Sequence, residues 1–193
     1  PAFGNIGEFF HIHPNAVATS VSTYFFGFAI GMLLWGALSD RFGRKKTLTA
    51  GMLIYLISSI LCSLSTSYET LLTMRFIQGL GDSSGAIVSM AIMRDLYKGR
   101  KLAIAMATMT MVFMIAPIIS PMIGSLIIYN TGKWQDIFHF LTIYGVFLII
   151  LTFFIPETLK KEKRAKSIAE NIGFYIKHST NIPFVLYSVA TGL

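Results

Sequence analysis

Apolar residues along this chain come in long blocks separated by short polar turns. Residues 16–38 run for 23 positions without a charge. Further blocks span 47–64, 71–93, 102–129 and 137–155. A helix rising 1.5 Å per residue needs about 20 apolar residues to cross a hydrocarbon core of about 30 Å. The pattern therefore predicts an all-α polytopic membrane helix bundle with five crossings. A last apolar run, 182–193, is too short to cross. Residues 3–15 mix polar and apolar positions with Gly4, Gly7 and Pro14 and read as irregular.

The turns are of two kinds. Residues 36–48, 94–101 and 160–177 are basic, holding four, four and six Lys and Arg residues, fourteen of the chain's sixteen. The intervening turns hold only Lys133. Cationic loops stay on the cytoplasmic side, so the basic turns are expected there and residue 16 on the outer side. Cations and an irregular backbone cannot lie in hydrocarbon, which places the 36–48 turn at the membrane surface. In the linker, Ile168, Ile172 and Tyr175 or Ile176 recur among lysines, the pattern of an amphipathic helix on the inner leaflet.

Composition agrees. The 193 residues are 54% hydrophobic and 13% charged, about half the charge of a soluble domain. The net charge of +7 lies in turns and not on one face, which excludes a nucleic-acid-binding domain. Cys62, the lone cysteine, falls in an apolar block, so no disulfide or cysteine metal site is expected. His11 and His13, with Glu8 nearby, read as solvated surface and not as a metal site.

Three features carry candidate chemistry. Arg75, Gln78 and Asp82 interrupt the third crossing at offsets of three and seven, which puts them on one helix face. Ionisable groups at membrane depth are functional candidates by default. Arg75 and Asp82 stand about 10 Å apart along an ideal helix, too far for a direct pair but able to face one watered cavity; a structural contact between helices is the alternative. In the basic turn, Asp40 can accept from arginines or from a helix N-terminus, and Gly43 allows a tight reversal. Pro117, Pro121 and Gly124 in the fourth crossing mark a hinge, a tight helix contact or a passive kink. Gly27 and Gly31 form a small-xxx-small pair. Tyr24, Phe28 and Trp35 make an aromatic stripe, lining a substrate cavity or packing on lipid or a neighbour.

The order Gly36-x-Leu38-x-Asp40-Arg41-x-Gly43-Arg44-Lys45-x-x-Leu48 resembles the loop signature of the major facilitator superfamily. Leu71-x-x-x-Arg75-x-x-Gln78-Gly79-x-Gly81 resembles that superfamily's helix-4 motif. Ala116-Pro117-x-x-x-Pro121-x-x-Gly124 resembles its helix-5 antiporter motif in the form found in bicyclomycin/chloramphenicol-type drug:proton antiporters. Arg94-Asp95-Leu96-Tyr97, Trp134-x-x-Ile137-Phe138 and Pro156-Glu157-Thr158-Leu159 are also similar to that subfamily. Gln135, Asp82, Ala116 and Ser125 depart from the pattern.

The resemblance implies the N-terminal half of a twelve-helix transporter. Residues 1–15 are then the end of helix 1 and an outer loop, 16–156 helices 2–6, 157–181 a cytoplasmic linker, and 182–193 the start of helix 7. The expected function is export of hydrophobic drugs or related small molecules across a bacterial-type inner membrane by proton antiport through alternating access. The proton gradient is the energy source, with no cofactor, metal or enzymatic step. Arg75, Gln78 and Asp82 are expected to couple protons and substrate; Gly36, Asp40, Arg41, Gly43, Arg44, Arg94 and Asp95 to form a cytoplasmic gate; and Pro117, Pro121 and Gly124 the antiporter motif. Expected partners are the small hydrophobic substrate, protons, membrane lipid and the C-terminal half, which is missing here; no nucleic acid is expected. A metabolite or sugar efflux protein of the same fold is one alternative. A non-transporting scaffold or receptor is another, though a scaffold needs neither Arg75 nor Asp82.

Overall fold

The computed structural model describes residues 3–159, and their regular secondary structure is helical. The linker beyond Leu159 and the expected crossing start at 182–193 lie outside the described residues. The helices are α1 (Phe3–Phe10), α2 (Pro14–Phe42), α3 (Arg44–Ser63), α4 (Tyr68–Leu96), α5 (Gly99–Thr131) and α6 (Gln135–Phe154). The five predicted crossings correspond to α2–α6.

Two expectations are corrected. The 36–48 stretch is helical except at Gly43, where a φ of 98° reverses the chain between α2 and α3. A backbone in that region favours glycine, so one residue suffices for the turn. The 3–15 segment is not irregular: α1 forms there because Ile6 and Phe10 find an apolar seat beside Val17, Leu71 and Trp134. His13 caps α2, its Nδ1 accepting from the Asn15 N–H at 3.2 Å.

Four helices, α2, α3, α5 and α6, are long and apolar enough to cross a membrane. The fifth, α4, has the 29-residue length of α2 but carries Arg75, Gln78, Asp82, Ser83 and Ser84 in its middle. It packs against α2 and α3, so Gln78, Ser83 and Ser84 are fully buried in protein.

The α2–α4 seam is very close. A Cβ added at Gly27 would collide with the Phe76 carbonyl, one at Gly31 with Leu80 and Ser83, and one at Gly79 with the Tyr24 carbonyl. The two helices run side by side in the same direction, and Trp35 Nε1 donates to the Leu80 carbonyl at 2.6 Å. On the other flank of α4, Gly81 lies against the α3 backbone at Gly51 and Tyr55. Such small-residue contacts replace the hydrophobic drive that lipid does not supply.

One apolar cluster, with Ile6, Val17, Cys62, Leu71, Trp134 and Phe138, closes the end of the bundle that holds the neutral turns. A second, of Leu48, Met52 and Val88, lies toward the basic end. The helix α5 continues through Pro117 and Pro121 and exposes almost its whole surface, with Gly124 its one buried residue. Exposed Met111, Met114, Ile118, Met122 and Leu126 give it an apolar surface suited to lipid or a neighbouring helix.

Candidate functional site

Two polar centres stand out. The first lies midway along α4. Arg75 Nη1 donates to Gln78 Oε1 at 2.6 Å, one turn along the helix. Gln78, with no exposed surface, passes the contact to α3 through Nε2 to Ser59 Oγ at 2.7 Å. Ser59 in turn donates to the Tyr55 carbonyl. A buried amide must have partners for both its ends, and Gln78 has them on two helices.

The Arg75 guanidinium lies over the Tyr24 ring, 4.4 Å from its centroid, and 5.8 Å from that of Phe138. The Tyr24 hydroxyl donates to Asp82 Oδ2. One side chain of α2 thus bridges the two ionisable residues in the middle of α4. A cation on a desolvated ring is worth about 2 kcal/mol, and a hydrogen bond to a charged group about 1.5–3 kcal/mol. These contacts can hold an arginine and a carboxylate at membrane depth without a direct ion pair. Tyr24, Arg75 and Asp82 all keep some accessible surface, whereas Gln78 and Ser59 do not. The exposed edge can therefore meet a proton or a ligand while its support is fixed.

The second centre closes the basic end. Arg44, 7% exposed, directs Nη1 to Asp40 Oδ1 at 2.6 Å and to Ser39 Oγ at 2.7 Å, and Nε to Asp95 Oδ2 at 2.9 Å. It links the ends of α2 and α4 to the start of α3. A cavity of about 400 Å³ beside it is lined by Gly36, Asp40, Arg44, Arg94 and Asp95, with Ile87 beneath.

Sequence reasoning named most of these residues. It grouped Arg75, Gln78 and Asp82 on one face; Arg75 meets Gln78 directly and Asp82 through Tyr24, and Asp40, Arg44 and Asp95 meet. Within the gate set, Arg41 lies over its neighbour Phe42 at 5.3 Å, away from the Arg44 cluster. Arg94 lines the cavity, and its side chain makes no hydrogen bond or ion pair among the described residues. Gly36 has room for a side chain, an added Cβ meeting only Ile87 at 3.8 Å. Pro117, Pro121 and Gly124 lie on α5, outside both polar centres. The aromatic stripe divides by role. Trp35 is buried at the seam, Tyr24 enters the polar centre, and Phe28 stacks beside Tyr24 at 6.3 Å. Ser59 was missed, because nothing in a serine within an apolar run announces its partner on another helix.

The Major Facilitator Superfamily model matches residues 1–192. The chain belongs to this superfamily. Among superfamily relatives, it is 33% identical to a bicyclomycin resistance protein homolog of Haemophilus influenzae, over 85% of this chain and 41% of that protein. It is 34% identical to the multidrug resistance protein MdtL of Citrobacter koseri, over 78% of this chain and 40% of that protein. The crystal structure of the human organic anion transporter MFSD10 superposes with a TM-score of 0.66 at 26% identity, over 78% of this chain and 34% of that one. The chain thus spans about two fifths of the length of the curated relatives it matches. Superfamily membership makes this a membrane-embedded helix bundle, and the bicyclomycin-type resemblance in the sequence agrees with these relatives.

Proposed function

We propose that this chain is the N-terminal part of a transporter that exports hydrophobic drugs or related small molecules in exchange for protons by alternating access. The observation that carries the reading is the bridged pair of Arg75 and Asp82, an arginine and a carboxylate on one helix face joined through Tyr24. A membrane scaffold has no use for two ionisable groups at that depth. The names of the bicyclomycin and multidrug resistance relatives favour drugs over sugars or metabolites as substrates.

In this reading Asp82 takes up and releases the proton, Arg75 senses its charge, and Gln78 fixes Arg75. The substrate lies near the midplane between this bundle and the C-terminal half of the full-length protein. The basic turns face the cytoplasm of a bacterial-type inner membrane, where their cations meet anionic lipid. Asp40, Arg44 and Asp95 latch the cytoplasmic end, and Pro117, Pro121 and Gly124 let α5 bend. The proton gradient supplies the energy, with no cofactor.

The test uses the full-length protein in everted vesicles from an efflux-deficient host. Addition of a lipophilic cationic or neutral drug should discharge an imposed pH gradient, and Asp82→Asn should abolish that discharge. A drug panel that leaves the gradient untouched while a sugar or metabolite discharges it would overturn the drug reading. Unaltered pH-dependent export by Asp82→Asn would remove Asp82 from proton coupling.

A further inference from the structure

The start of α3 is chemically unfavourable on its own. A helix N-terminus leaves N–H groups unpaired and carries partial positive charge. Here the first three residues are Arg44, Lys45 and Lys46, the first turn has no acidic residue, and the cap position is Gly43, which has no side chain to accept a hydrogen bond. Nothing between α2 and α3 supplies what is missing.

It comes from 113 residues away. Glu157, three residues beyond the end of α6, accepts the Arg44 backbone N–H on Oε1 at 2.9 Å. The same oxygen accepts the Leu159 N–H at 3.1 Å, folding the segment back on itself. Next to it, Thr158 Oγ1 donates to Asp95 Oδ2 at 3.1 Å, the oxygen that also receives Arg44 Nε. Lys45 Nζ reaches the Phe153 carbonyl at 2.8 Å, near the C-terminal end of the α6 dipole, and the hydroxyls of Thr49 and Thr152 meet at 3.3 Å. Leu159 is buried.

We infer that Glu157 is a positioning residue of the Arg44 latch: residues 156–159 form a strap that caps α3 in trans and holds Arg44 between Asp40 and Asp95. The carboxylate offsets the first-turn cations where the helix dipole adds to their repulsion. Capping of the backbone N–H fixes the origin of the Arg44 side chain, and Thr158 fixes one of its two carboxylate acceptors. Displacing the strap withdraws the cap and one Asp95 donor in a single movement. The chain that leaves the bundle after α6 is thereby tied to the closure of the basic end.

The latch role rests on the transport reading proposed above; the capping does not, and the two are separated by experiment. Hydrogen exchange with residue-level fragmentation is measured on the full-length protein in nanodiscs, for wild type, Glu157→Ala and Glu157→Gln. Glu157→Ala should speed exchange of the Arg44 amide at least tenfold and leave mid-α4 amides unchanged. Glu157→Gln, which keeps an acceptor but loses the charge, should fall between. An unchanged Arg44 amide in Glu157→Ala, or faster exchange spread evenly over all helices, overturns the capping. Transport by the same variants should show a kcat lowered several-fold with KM within twofold of wild type. Local loss of protection with unchanged kcat, or with a raised KM alone, overturns the latch role and leaves the drug reading intact.

Discussion

Tyr24 of α2 donates its hydroxyl to the Asp82 carboxylate of α4 while its ring carries the Arg75 guanidinium. A single residue thus couples to a cation through its face and to an anion through its edge. Tyr24→Phe separates the two functions, because it keeps the ring and deletes the donor. Transport by the full-length protein should fall about tenfold or more, the equivalent of one lost hydrogen bond to a charged group. Drug affinity should stay within about threefold. Equal rates for Tyr24→Phe and wild type at every pH would show that the hydroxyl is idle.

Arg75→Lys keeps the charge but loses the planar group that lies over Tyr24 and reaches Gln78 together. Arginine and lysine are not interchangeable at a stacked site. Coupled export should drop at least tenfold in Arg75→Lys, measured as drug-induced proton flux. Near-normal flux would mean that a point charge is enough.

The visibility of this centre in the sequence was uneven, and the reason is physical. Arg75 and Asp82 were conspicuous because charges at membrane depth are costly. Gln78 followed from helical spacing. Tyr24 was noticed only as one aromatic among others, since tyrosine is ordinary in an apolar block and its acceptor lies 58 residues away. The latch shows the same division. Asp40 and Arg44 are four residues apart and could be paired on the page, whereas Glu157 joins them only through tertiary structure. The crossings were legible from apolar runs, but their ends were not: α2 runs through Arg41 to Phe42, because charged side chains at a membrane surface do not oblige a helix to stop.

Arg44 binds two carboxylates with separate nitrogens, a span that one ammonium group cannot reproduce. Arg44→Lys and Asp40→Ala should each lower the turnover of the full-length protein several-fold with little change in equilibrium drug binding. A variant that lost affinity and kept its turnover would contradict the assignment of cycling to this end and binding to the centre midway along α4.

The glycines of α2 and α4 should differ sharply in tolerance. Gly79→Ala places a methyl group against the Tyr24 carbonyl, and overpacking of this kind costs about 1–3 kcal/mol or more. Its thermal midpoint in detergent should fall by several degrees, with loss of folded yield. Gly36→Ala, with only Ile87 at 3.8 Å, should melt within about a degree of wild type. Similar melting of the two variants would mean that the helices part more easily than their packing implies.

On α5, Pro117→Ala restores a backbone donor inside a helix that already runs unbroken from Gly99 to Thr131. Restoring the bond should stiffen the helix and slow the build-up of a drug gradient in vesicles. A full gradient at the wild-type rate would leave Pro117 as a passive feature.

The glycine seam has a mechanical meaning of its own. Two helices whose backbones touch cannot slide or twist past each other, so α2 and α4 behave as one beam. Tyr24 and Asp40 stand about 24 Å apart along α2; on α4 Asp82 meets Tyr24, and Asp95, about 20 Å further along, shares Arg44 with Asp40. A tilt imposed at the basic end must reach the Tyr24–Asp82 centre undamped. Signal transfer between the two needs no relay of side chains, since the same solid object carries both.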